Sequence, residues 1–232
     1  MNSKQRKVLI TGANRGIGYE TAKQLKERGF FVVLSARDAT EGQSAASELG
    51  VEFLQIDVAD EKSISAAAAD FKERFGETLD VLVNNAGIYP DDDQSILEVG
   101  KTQLFHSLLT NTLGPLLVTR SFRKFLENSN EGGRLINLSS KLGQLSEMDD
   151  TAPTYSISKT ALNAVTRQLS SALSGKQIAV NSVSPGWVRT DMGGENADLS
   201  VEEVADSVVW LADEAPHSLT GKFIRDRKEI EW

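Results

Sequence analysis

The chain has 232 residues, 40% hydrophobic and 25% charged, with a net charge of −8; that length supports one domain with a sizeable core, and the negative balance argues against general nucleic-acid binding, which needs basic surface. There is no cysteine, which excludes disulfides and thiolate chemistry, and His106 and His217 stand outside any zinc-ligand spacing, so no metal site is expected. The basic residues 1–7 run straight into a short apolar strand without a signal peptide's longer apolar region, and no apolar run approaches the roughly 18 residues needed to span a membrane; a cytoplasmic protein with no membrane partner is expected.

Val8-Leu9-Ile10 reads as a buried strand ending at Thr11-Gly12. Gly12, Gly16 and Gly18 follow, then a helical pattern (Ile17, Thr21, Ala22, Leu25) that ends at Gly29. Strand, glycine turn and helix in that order are the start of a dinucleotide-binding unit. Glycines let the backbone turn sharply and let a pyrophosphate approach the helix N-terminus. The spacing is G-x-x-x-G-x-G rather than G-x-G-x-x-G. A tight turn alone is the plainer reading, and the flanking strand and helix favour the functional one.

Residues 31–34 form the second predicted strand, followed by Ser35-Ala36-Arg37-Asp38, where an NAD fingerprint would place an acid. A helix over 40–49, a strand over 51–56 closing on Asp57, and a helix over 61–75 capped by Asp60 come next. The fourth strand, 81–83, opens into Asn84-Asn85-Ala86-Gly87. Residues 88–100 read as a loop with a Pro90-Asp91-Asp92-Asp93 turn, whose carboxylates suit a solvated surface better than a cation site. A long helix over 102–127 is expected to bend near Gly114-Pro115. The fifth strand, 134–138, ends at Ser139-Ser140. After a further helix, strand 178–183 leads to Pro185-Gly186. Ser200-Val201-Glu202-Glu203 is a capping-box pattern opening a helix to about residue 212, and 222–224 is a last short strand. Strand and helix alternate without linker or repeat. The pattern predicts one α/β domain over 1–232, a doubly wound, Rossmann-like parallel sheet of about seven strands with helices on both faces.

Tyr155-Ser156-Ile157-Ser158-Lys159 opens the apolar-periodic run Ile157, Ala161, Leu162, Val165, Leu169, so it is read as the first turns of a helix. Residues four apart share a helix face, which sets a phenol beside an ammonium. A free tyrosine has a pKa of about 10, and a fixed cation favours its phenolate. The pair is a candidate proton donor and acceptor for an alcohol or carbonyl oxygen; a surface Tyr–Lys pair is the plainer alternative.

Taken in order, Thr11-Gly12-Ala13-Asn14-Arg15-Gly16-Ile17-Gly18, Asn84-Asn85-Ala86-Gly87, Asn111, Ser139-Ser140, Tyr155 with Lys159 and Pro185-Gly186 resemble the short-chain dehydrogenase/reductase family over nearly the whole chain. Within it the likeness is to carbonyl reductases, through Ser35-Ala36-Arg37-Asp38, Pro185-Gly186-Trp187-Val188-Arg189-Thr190-Asp191-Met192 and the tail ending in Trp232. Monomeric members of that group carry a long insertion before the tyrosine; here only residues 141–154 stand there.

The resemblance implies a role for each residue. Tyr155 would donate the proton to a carbonyl oxygen, and Lys159 would lower the Tyr155 pKa and hold the nicotinamide ribose. Ser140 would hydrogen-bond the substrate oxygen, with Ser139 as the alternative, and Asn111 would anchor a proton-passing water. For an NADP(H) cofactor, Gly12, Gly16 and Gly18 would line the pyrophosphate, Asp57 the adenine, Asn84 the adenosine ribose and Thr190 the carboxamide. Asn14, Arg15, Ile17, Arg37, Val58, Ala86, Gly87, Pro185, Gly186 and Val188 complete the implied binding set. A turn cap is the alternative for Asp57, as a helix cap is for Thr190. Ala36 removes the acid that NAD-preferring relatives carry, and Arg37 and Arg15 match basic positions of NADP-preferring ones. Asp38 could pair with Arg37 and weaken it.

The expected function is NADPH-dependent reduction of a ketone or aldehyde, or the reverse oxidation of an alcohol. A non-catalytic NADP-binding regulator of the same fold is the alternative, though such a chain usually lacks one of Ser140, Tyr155 and Lys159. A sugar-nucleotide epimerase would carry a C-terminal substrate domain, and only about forty residues follow Thr190. Tyr89, Leu142, Leu145, Trp187 and Met192 are candidate pocket residues, equally explicable as core or loop. Without the insertion, the 102–127 helix and the Tyr155 helix are expected to pair across a two-fold axis in a homodimer or homotetramer.

Overall fold

The computed structural model describes residues 5–89 and 95–232, so the expected turn at Pro90–Asp93 lies outside the described residues. Strands β1 (Lys7–Ile10), β2 (Phe31–Ala36), β3 (Glu52–Gln55), β4 (Val81–Asn84), β5 (Gly133–Leu138), β6 (Ile178–Val183) and β7 (Lys222–Arg225) are all parallel, and β8 (Lys228–Ile230) adds antiparallel to β7. The order across the sheet is β3-β2-β1-β4-β5-β6-β7-β8. Chain direction across the sheet reverses between β1 and β4. That is the switch point at which ligands bind in open α/β sheets.

The central strands are buried on both faces, with side chains alternating between two cores. Val8, Ile10, Val81 and Val83 join one core, against α1 (Gly16–Glu27), α2 (Ala39–Leu49) and α7 (Val201–Asp213). Leu9, Val33 and Leu82 join the other, against α3 (Glu61–Phe75) and α5 (Gly114–Glu127), where Phe71 and Phe122 meet edge to face at 5.5 Å.

The long helix expected over 102–127 is three segments: α4 (Lys101–Leu108), a π-helical turn at Leu109–Leu113, and α5. The irregularity falls one turn before Gly114-Pro115, not at it. A π turn is a known form of local helix irregularity. Proline cannot donate to the carbonyl four residues earlier, and Gly114 has Val58 O only 2.8 Å from where a Cβ would stand, so both residues suit the start of α5. Helix α6 (Pro153–Ala172) starts two residues before Tyr155, with proline in its first turn after Ala152 at φ 45°.

The eighth strand was not foreseen. Asp226 and Arg227 both have positive φ, the backbone of a two-residue hairpin turn. That turn favours Asn-Gly or Asp-Gly, and Asp-Arg does not carry the signal.

Candidate active site

The glycine turn after β1 and the Asn84–Gly87 segment after β4 meet at the switch point. Gly12 and Gly16 have φ of 62° and 59°, and a Cβ on Gly12 would stand 2.8 Å from Ala86 Cα. Thr11 and Asn85, neither assigned a role from sequence, bind the two segments together. Thr11 Oγ1 accepts from the Asn85 and Ala86 amides, and Asn85 Nδ2 donates to the Thr11 and Gly12 carbonyls at 2.9 and 2.8 Å. Polar residues directly after two neighbouring buried strands were the available signal.

Helices α2, α3 and α7 have side-chain caps from Asp38, Asp60 and Ser200, whereas α1, behind Arg15, has no side-chain cap and no acid in its first turn. An open helix N-terminus on a cradle that tolerates no Cβ fits a dinucleotide pyrophosphate. Ile17 packs on the core. Asn14 donates to Glu41 Oε2 at 2.9 Å, and Arg15 pairs with Asp191 at 3.3 Å. Those contacts join the cradle to α2 and to the segment after β6.

At the adenosine end, Arg37 is exposed and lines a groove of about 510 Å3 with Gln55, Asp57, Asp60, Ser63 and Asp70. Asp38 accepts from the Glu41 amide as the α2 cap. Asp57 accepts from the Ala59 amide at 2.9 Å, which is the turn-cap role. Val58 is buried. Asn84 departs most from expectation: its Nδ2 reaches Pro115 O, Thr119 Oγ1 and Asn137 Oδ1 inside the sheet. Its side chain is thus committed to the core, and only its backbone faces the strand end.

At the other end, Pro185 and Gly186 follow β6, and Val188 bridges Leu199. Thr190 Oγ1 accepts from the Gly193 amide at 3.1 Å, and its Cγ2 lies 3.5 Å from the Cβ position of Gly16. It caps a turn, not the helix that the alternative reading named, while bordering the glycine cradle.

Between these ends Ser140, Tyr155, Lys159, Asn111 and Gly87 come together. Tyr155 and Lys159 are 8% and 4% exposed. The Ser140 hydroxyl hydrogen-bonds the Tyr155 phenol, whereas Ser139 Oγ turns to the Lys159 carbonyl at 3.4 Å. Lys159 Nζ donates to Leu138 O at 2.7 Å and lies 5.5 Å from the Tyr155 ring centre. The expected lowering of the phenol pKa is not what the geometry produces. Burial pushes Tyr155 up to about 12, against the smaller downward pull of Ser140, and burial lowers Lys159 to about 8. Desolvation disfavours the charged form of each group.

Asn111 is fully buried in the π turn. Its Oδ1 accepts from the Ile88 amide at 2.8 Å, and its Nδ2 donates to Ile88 O and Ser158 Oγ. A Cβ on Gly87 would meet Asn111 Oδ1 at 3.2 Å and Lys159 Nζ at 3.5 Å, so that glycine leaves the two groups room to meet. Tyr89 packs against Tyr155 with ring centres 4.8 Å apart and planes tilted by 58°, and Leu145, Trp187 and Met192 are exposed, with Leu142 intermediate. Among the described residues no cluster could hold a metal ion, and no helix is long and apolar enough to cross a membrane.

Residues 6–199 match the family model for short chain dehydrogenase. The short-chain dehydrogenase anuI of Penicillium roqueforti is 34% identical, over 96% of this chain and 95% of that one. NADPH carbonyl reductase 1 of Sus scrofa is 31% identical, over 100% and 96%. The crystal structure of an NADPH-bound carbonyl reductase from chicken fatty liver superposes with a TM-score of 0.90 at 31% identity, over 99% of this chain and all of that one. With the sheet order, the glycine cradle and the buried Tyr155–Lys159 pair already in place, a match over most of its length means that the chain belongs to the short-chain dehydrogenase family.

Proposed function

We propose that the protein reduces a ketone or aldehyde to an alcohol with NADPH, and runs the reverse oxidation, using Tyr155 as general acid and base. The observation that carries this reading is the hydrogen bond from half-buried Ser140 to buried Tyr155, beside Lys159, at the C-terminal end of β5.

Gly12, Gly16, Gly18 and the α1 N-terminus would hold the pyrophosphate, Arg15 and Arg37 would receive the ribose phosphate, and Lys159 with Thr190 would border the nicotinamide end. The bound cofactor supplies the hydride, and the chain supplies position, electrostatics and the proton. Ser140 and Tyr155 hydroxyls both address the substrate oxygen. Tyr155 Oη would give its proton to the substrate oxygen as the carbonyl becomes the alcohol. The phenol remains protonated at neutral pH because burial holds its pKa up, which suits a donor in the reducing direction. Buried Lys159, with Asn111 behind it, offers a cation to the tyrosinate left after transfer. Tyr89, Leu145, Trp187 and Met192 give the mouth an apolar rim suited to a substrate with apolar groups around its carbonyl.

NADPH consumption with a panel of ketones and aldehydes tests the reading. Tyr155→Phe is expected to lose about 100-fold or more in kcat while keeping NADPH affinity nearly unchanged. Turnover by that variant near the parent rate would remove Tyr155 from the chemistry.

A further inference from the structure

The contact between the segment bearing Ser140 and helix α6 is made by residues that the reaction does not use. Ser140 caps a 3-10 turn, Lys141–Gly143: Leu142 N donates to Ser140 Oγ at 3.1 Å and Gly143 N to Ser140 O at 3.0 Å. Ser140 and Gly143 are therefore the two ends of one short hydrogen-bonded unit. Gly143 O in turn accepts from Asn163 Nδ2 at 3.1 Å, and Thr160 Oγ1 lies at the same distance, its single proton shared between Gly143 O and Ser156 O at 2.9 Å. A Cβ on residue 143 would lie 2.8 Å from both C and Cβ of Lys159, so the turn rests directly on the α6 backbone and only glycine permits that approach.

Tyr155, Lys159 and Asn163 are spaced four residues apart on α6 and share one helix face. Asn163 is 4% exposed, and its Oδ1 is buried without a hydrogen-bond partner. Leucine would fill a similar volume without that orphaned acceptor, so packing does not account for an asparagine here. What the amide adds is its donor to Gly143.

We propose that Asn163, with Thr160, is a positioning residue that clamps the Lys141–Gly143 turn to α6 and so fixes the Ser140 hydroxyl against the Tyr155 phenol. The helix that carries the proton donor also sets the distance to its partner hydroxyl, through a contact two turns further along. The proposal rests on the Tyr155 mechanism above and extends it to a residue that touches neither substrate nor cofactor. Loosening the clamp withdraws the Ser140 hydrogen bond that favours the tyrosinate, so the pH profile of alcohol oxidation moves to higher pH.

The test is a double-mutant cycle between Asn163→Leu and Ser140→Ala, measured as kcat, NADPH KM and the pH profile of oxidation. Asn163→Leu is expected to lower kcat roughly tenfold with NADPH KM nearly unchanged, to move the profile upward, and to add nothing in the Ser140→Ala background. Thr160→Val should act in the same direction and Thr160→Ser should restore the parent behaviour, which keeps the proposal testable if Asn163→Leu does not fold. Additive losses in the cycle, or an unshifted profile in both clamp variants, would overturn it. Tyr155→Phe runs alongside: an active Tyr155→Phe would sink the mechanism itself, whereas an inactive one with silent clamp variants sinks only the clamp.

Discussion

Two buried titratable groups control the pH behaviour, and their shifts have opposite signs. Tyr155, held up to about 12 by burial, is a ready acid and a scarce base. Carbonyl reduction should therefore change little between pH 6 and about 7 and fall above about 8, where Lys159 gives up the charge it offers the tyrosinate, while alcohol oxidation rises by up to about tenfold per pH unit below about 8, as the tyrosinate fraction does. Parallel initial-rate profiles in both directions check this; an oxidation rate flat with pH would contradict it. Lys159, lowered to about 8, gives a stability signature. Between about pH 8 and its ordinary value near 10.5, the unfolded chain holds a proton that the folded chain has released, so this residue's contribution to stability grows as pH rises through that window and is lost as pH falls through 8. Lys159→Met lacks this titration. Urea midpoints of variant and parent should move in the parent's favour between pH 8 and 10, and a constant difference would place the lysine's titration elsewhere.

At the scale of elements, legibility followed local chemistry. β1, β4, β5 and β6 were visible because buried parallel strands are short apolar runs, and α3 and α7 because Asp60 and the Ser200–Glu203 box are caps with a mechanism. The π turn was not legible: Leu109–Leu113 has an ordinary helical sequence, and Asn111 declares itself only when Ile88 and Ser158 come to its amide. The inward turn of Asn84 was hidden for the same reason, since its partners Thr119 and Asn137 arrive from α5 and β5. The resemblance named Ser140 with Ser139 as the alternative, and the sequence does not show that Ser140 Oγ caps the Lys141–Gly143 turn while Ser139 Oγ faces the Lys159 carbonyl. The end of β2 was readable, and it carries a prediction. Ala36 and Arg37 should give NADPH at least about a tenfold advantage over NADH in kcat/KM, below the range that charged hydrogen bonds permit because Arg37 is exposed and Asp57, Asp60 and Asp70 line the same groove. Ala36→Asp with Arg37→Ile should narrow or reverse the ratio; equal use of both cofactors by the parent would show that Arg37 does not read the phosphate.

For the whole molecule, the outer surface of α4 and the π turn decides the expected assembly. Phe105 and Leu113 are exposed, with Leu109 half-buried between them, at a spacing of four residues that places them along one side of a helix. A monomer would call for a polar face here. An apolar stripe along α4 and the π turn suits a two-fold contact between copies. Light scattering should report about twice the 25.2 kDa chain mass or a higher multiple, and Phe105→Glu with Leu113→Glu should return it to the single-chain value. A parent protein of single-chain mass at micromolar concentration would refute the pairing.

The β7–β8 hairpin has a bearing on how the protein survives heating. A parallel sheet whose last strand lay open would offer apolar Phe223 and Ile224 backbone to any partly unfolded neighbour. Instead β8 covers that edge with exposed Lys228 and Glu229, and its turn is fastened by Arg227 to both carboxylate oxygens of Asp206 on α7 at 2.6 to 2.9 Å. The rim of the sheet thus ends in charge rather than in unpaired apolar strand. Replacing Lys228 and Glu229 by valine should leave the melting temperature close to the parent's yet bring on turbidity at lower temperature and lower protein concentration, because the cost falls on colloidal behaviour and not on folding.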